Sequence, residues 1–92
     1  MKEFFLNDNK YIVQDNYKDC FNIDETKSLF TDYFNEFDYI LGDYSYNRLR
    51  LKGFLDTNNK KVKGYNDISN YKKYIKNFCA DDCAYFLLKK IK

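Results

Sequence analysis

Arg48-Leu49-Arg50-Leu51-Lys52 alternates strictly between charged and apolar residues, the clearest period-two pattern in the chain, and predicts a strand running on to Phe54. On that strand Leu49 and Leu51 face the core. Arg48, Arg50, Lys52 and, by continued alternation, Phe54 face the other way. An apolar run at residues 39–41 precedes it. Gly42 and Asp43 are expected to end that strand, and Ser45 and Asn47 to supply turn chemistry, making a central hairpin. Shorter apolar runs at residues 4–6 and 11–13 flank Asn7-Asp8-Asn9-Lys10, which reads as a second hairpin, its first strand an optional N-terminal addition. Residues 15–22 are polar with scattered anchors at Tyr17, Cys20 and Phe21, and read as an ordered loop.

Elsewhere the period lengthens. Asn22 with Glu25 three residues on has the spacing of a capping box, and Asp24 and Glu25 suit the positive end of a helix dipole. Leu29, Phe30, Tyr33, Phe34 and Phe37 follow at helical spacing, predicting a helix over residues 24–36. After a polar loop at residues 56–64, Asp67 is expected to cap a second helix carrying Ile68, Tyr71, Ile75, Phe78 and Cys79 on one face, broken by Asp81-Asp82. Residues 83–88 form a continuous apolar run, the pattern of a central strand covered on both faces. Lys89, Lys90 and Lys92 close the chain. The expected fold is one α+β domain over residues 1–92: an antiparallel sheet with both helices on one face, in ferredoxin-like βαββαβ order. Leu29, Phe30, Phe34, Leu49, Leu51, Ile75, Phe78, Phe86 and Leu88 are its expected core.

Composition narrows the function. With 45% hydrophobic and 21% aromatic residues, 92 residues can fill one core. No apolar run approaches the ~20 residues needed to span a bilayer, and the N-terminus is too short in apolar residues for a signal peptide, so a cytoplasmic location is expected. Asn, Lys, Tyr, Ile and Phe are abundant as in proteins from AT-rich coding DNA, so lysine content alone argues nothing about nucleic acid. The chain has no histidine, no Gly-rich phosphate loop and no nucleophile elbow, and an enzyme is not expected. Asp43 beside Gly42 reads as a turn-capping carboxylate before it reads as a substrate ligand. Cys79 and Cys83, with Cys20, fall short of a zinc set and read as packed thiols, with no metal, cofactor or disulfide expected.

Several blocks resemble the YutD-like family, small bacterial proteins of uncharacterised function: Asp38-Tyr39-Ile40-Leu41-Gly42-Asp43, Leu49-Arg50-Leu51-Lys52-Gly53-Phe54, Tyr17-Lys18-Asp19 and Cys83-Ala84-Tyr85-Phe86. Tyr44 stands where the family often has tryptophan. Ala80-Asp81-Asp82 stands where it tends to carry a glycine. The resemblance implies no activity.

Charge supplies the functional expectation. Residues 1–43 carry a net −6 and residues 44–92 a net +8, within a total of +2. If one sheet face is open, Arg48, Arg50, Lys52 and Phe54 lie on it about 6.6 Å apart, a spacing near that of nucleic-acid phosphates, with Tyr44 and Tyr46 close by to stack bases. Lys52-Gly53-Phe54 echoes the start of an RNA-recognition motif that Leu55-Asp56-Thr57 does not continue. The expectation is a small non-enzymatic binding module whose basic strand face contacts RNA or the ribosome. Two alternatives stay open: docking of an acidic protein partner, and a face that is merely solvated.

Overall fold

A computed structural model describes residues 3–79 and 82–91; Met1, Lys2, Ala80, Asp81 and Lys92 fall outside them. Five strands form one antiparallel sheet: β1 (Glu3–Leu6), β2 (Asn9–Tyr17), β3 (Tyr39–Ser45), β4 (Arg48–Phe54) and β5 (Tyr85–Ile91), in the order β1-β2-β5-β3-β4. Two short helices, α1 (Ile23–Leu29) and α2 (Tyr71–Phe78), complete an α+β fold. Among the described residues no helix is long and apolar enough to cross a membrane.

The helices do not share a face. Ile40, Phe86 and Leu88 pack with Phe30, at the end of α1, and with Phe37 on one side of the sheet. Tyr39, Leu41, Phe54 and Leu87 pack with Tyr71, Tyr74 and Ile75 of α2 on the other. This corrects the ferredoxin-like expectation, in which one face would be open. Adjacent residues of β3 and β5 are apolar because each strand is buried from both sides, as the run at 83–88 implied. Within that run Cys83 is buried ahead of the strand, which begins at Tyr85.

Three local readings also shift. β2 runs to Tyr17, through residues expected to form a loop; a bulge between Val13 and Asp15 keeps the strand paired with β5 despite its polar residues. The first helix ends at Leu29, where the extended backbone of Phe30 seats that ring against Tyr11, 5.9 Å between centroids. A 3-10 turn at Asp32–Glu36 then carries the chain to Phe37. Leu29 is left exposed. Third, Gly42 lies inside β3 and does not end it. A Cβ there would come within 2.1 Å of the Phe86 ring, so the glycine is required by a ring lying flat on the strand. Gly53 faces Phe37 in the same way, at 2.3 Å.

The Asn22 cap is as expected, whereas Asp67 caps a 3-10 turn and α2 itself begins at Tyr71, after Asn70, without a side-chain cap. Asn22 accepts from the Glu25 N–H at 2.9 Å, and Asp67 from that of Ser69 at 2.9 Å, where it opens a 3-10 turn (Ile68–Asn70) leading into α2.

Candidate partner-binding face

β4 is an edge strand, paired with β3 on one side only. The hairpin joining them turns at Tyr46 and Asn47, whose φ values of 53° and 63° are those of a two-residue type I′ turn. Beyond Phe54 the ladder closes: the Leu55 N–H donates to the Asn66 carbonyl at 2.7 Å, and the Ile68 N–H to that of Leu55 at 2.9 Å. The open stretch therefore runs from Arg48 to Lys52.

Alternation along β4 holds, but α2 covers the Phe54 end of the face that was expected to be open, leaving Arg48 and Arg50 exposed. Phe54 is fully buried, with Tyr74 set edge-on to it at 5.8 Å, so no base can reach its ring. Arg50 lies opposite Asp43, which is 1% exposed, and its Nε donates to Asp43 Oδ1 at 2.9 Å. Its Nη2 donates to Ser45 Oγ at 3.1 Å and to the carbonyl of Phe78 at 3.0 Å. The guanidinium thus ties the hairpin to the C-terminus of α2, and the Asp43 carboxylate holds its pKa above the ordinary value. Its charge is already matched. Asp43, read as a turn cap, is instead a buried mid-strand partner.

Tyr44 points to the α1 side and packs against the core there. Burial, then a hydrogen bond to Glu25, pushes its hydroxyl up to about 12. It shares no surface with the cations. Tyr46 and Arg48 are exposed at and beside the hairpin tip. The single basic, aromatic-flanked stripe is therefore not assembled: of its six members Phe54, Tyr44 and Arg50 do structural work.

Lys52 is different. Its ammonium lies 5.1 Å from the Phe54 ring centroid, 5.3 Å from that of Tyr74 and 5.8 Å from that of Tyr65. The residue is half-buried, and among the described residues no carboxylate pairs with it. Burial pulls its pKa below the ordinary lysine value. Two clefts meet at Lys52 and Tyr65. One, of about 480 Å³, opens toward Tyr33, Glu36, Phe37, Leu51 and Lys61. The other, of about 300 Å³, opens toward Lys73, Tyr74, Asn77 and Phe78.

Sequence reasoning missed the residues that make this face distinctive. Tyr65 is 70% exposed, Tyr33 65% and Phe78 64%. Tyr33 and Phe78 both sat at helical spacing with core residues: Tyr33 falls past the end of α1, in the 3-10 turn, and Phe78 is the last residue of α2, its ring 5.0 Å from that of Tyr74. Tyr65 follows Gly64 in a 3-10 turn (Gly64–Asn66), where a large ring has no neighbouring apolar residue to pack on; that mismatch was the available signal. Behind α2, burial and then the neighbouring Cys83 thiol hold the Cys79 thiol well above its ordinary pKa, the condition of an unreactive packed cysteine.

Comparison with known proteins places this geometry. A family model described as "Putative antitoxin YutD-like" matches residues 5–89. "Putative antitoxin YutD" of Bacillus subtilis (strain 168) is 46% identical over 77 residues, covering 84% of this chain and 85% of that protein. The solution NMR structure of protein yutD from B. subtilis superposes with a TM-score of 0.82 at 38% identity, covering all of this chain and 84% of the other.

Proposed function

This chain belongs to the YutD-like family, and on that premise we propose that it is a non-enzymatic, cytoplasmic binding module that docks an acidic partner protein across the open edge of β4. The name printed for its relative, "Putative antitoxin YutD", supports a role exerted on or through a partner.

The carrying observation is the meeting of exposed Tyr33, Tyr65 and Phe78 with Lys52, Lys61 and Lys73 around two clefts beside an unpaired strand. Rigid aromatic rings beside cations are what interface hot spots are built from, and an open strand edge adds main-chain hydrogen bonds. A second copy of this chain is the wrong occupant. Two β4 edges meeting antiparallel about Arg50 would set Arg48 against the neighbour's Lys52, and like charges directly opposite repel. An acidic segment removes that conflict.

The RNA reading loses its main support, because Phe54 is covered by α2 and Arg50 is paired with Asp43. It remains an outcome of the test. A photocrosslinking phenylalanine analogue at Tyr65 in living cells should yield a nuclease-resistant adduct with a protein of acidic pI. The same analogue at Phe5, on β1, should not. Charge reversal at Lys52, Lys61 and Lys73 should abolish the Tyr65 adduct. An adduct that disappears on nuclease treatment, or one insensitive to the charge reversal, would overturn the proposal.

A further inference from the structure

We propose that the partner adds an extended strand to β4 with a specific pattern: acidic residues four apart, a neutral residue midway between them, and apolar residues at the two remaining positions. The inference rests on the docking reading above and specifies what is docked.

The pattern follows from which charges on β4 are already satisfied. Residues of an added strand sit about 4.8 Å from their cross-strand neighbours, and alternate residues share a face. Opposite Lys52 the newcomer meets a half-buried ammonium, held against three rings and lacking a carboxylate among the described residues. Ring faces offset only part of the lost hydration of such a cation. An incoming carboxylate supplies the rest. Opposite Arg48, four residues away on the same face, an exposed guanidinium offers a second seat.

Arg50 lies midway and is the exception. Asp43 already pairs with its charge, and its Nε and Nη2 hydrogens go to Asp43, Ser45 and the Phe78 carbonyl, so an acid opposite it would add little. A neutral residue fits there. Leu49 and Leu51 turn to the other face, where both are only partly covered, and favour apolar neighbours.

The probe is the peptide acetyl-Thr-Glu-Val-Thr-Val-Glu-Thr-amide, titrated into 15N-labelled full-length protein, with its twin carrying Gln for both Glu. The acidic peptide should shift the amide signals of Leu49, Leu51 and Gly53 and bind at least tenfold more tightly than the Gln twin. On binding, the Lys52 ammonium should titrate at higher pH. In the Lys52→Met protein the two peptides should differ much less. Equal binding of the two peptides, no β4 shifts from either, or shifts confined to β1 would each overturn the proposal. The peptide comparison needs no variant, so misfolding cannot mask it. A nuclease-resistant acidic adduct at Tyr65 together with equal peptide binding would sink the strand pattern while leaving the docking reading intact.

Discussion

Lys52 carries a cost that nothing else in the fold requires. Keeping an ammonium half-buried against three rings disfavours its charged form, so its folded pKa lies below its unfolded value, near 10.5. Between those two values the unfolded chain holds more protons, and stability rises with pH. At neutral pH, below both, the whole penalty is present. Lys52→Met should therefore stabilise the protein at pH 7, by under ~1 kcal/mol once solvent screening of a partly exposed group is allowed for. The advantage should shrink as pH climbs toward 10.5, read as the difference between variant and wild-type denaturation midpoints. A variant that is destabilised at pH 7 would mean the ring contacts outweigh the lost hydration. Gly42 is the opposite kind of residue, required by packing alone. A methyl there would have to displace the buried Phe86 ring, and Gly42→Ala should cost about 1–3 kcal/mol in urea unfolding, with partner binding unchanged wherever the protein stays folded.

At the scale of elements, local signals were legible and their assembly was not. Strict alternation located β4, Asn22 located the start of α1, Asp67 located the 3-10 turn that leads into α2, and the apolar run from Cys83 anticipated a strand covered from both sides. That last reading already contradicted two helices on one face. A strand apolar on successive residues needs cover above and below, and 39–41 repeats the message. Helical spacing ran past the real end of α1 because nothing in a periodic aromatic pattern marks where Phe30 leaves the helix to reach Tyr11. The hairpin turn was legible from Asn47, but the strain at its other central residue was not. Tyr46 adopts φ 53° without the asparagine or glycine that such a position favours, and its ring is 91% exposed. Tyr46→Asn should relieve that conformation and raise thermal stability by ~0.5–1 kcal/mol. A loss of stability would show that the Tyr46 ring makes contacts worth more than the strain. The candidate site was half legible: its cations could be read from β4, but its exposed rings came from Gly64–Asn66 and from the ends of elements.

For the whole molecule, the question is why an open β4 edge does not pair with itself. Natural sheets guard such edges with inward or lateral charge, and cationic residues at alternate positions of β4 fit that device. Antiparallel pairing of two copies about Arg50 would bring Arg48 and Lys52 of opposite copies together twice. Arg50 contributes less, since Asp43 already matches its charge. The guard therefore resides in two residues. Replacing both with threonine, a good strand former without charge, leaves the edge, the half-exposed Leu49 and Leu51 and the neighbouring rings in place. The Arg48→Thr, Lys52→Thr protein should self-associate at concentrations where the wild type sediments as a monomer, with a weight-average mass approaching twice the chain mass of 11.2 kDa. Added salt should push the wild type the same way, since screening weakens the same repulsion. If the double variant stays monomeric with its fold intact, the β4 edge is closed to any strand, and both self-pairing and the proposed acidic strand addition fail together.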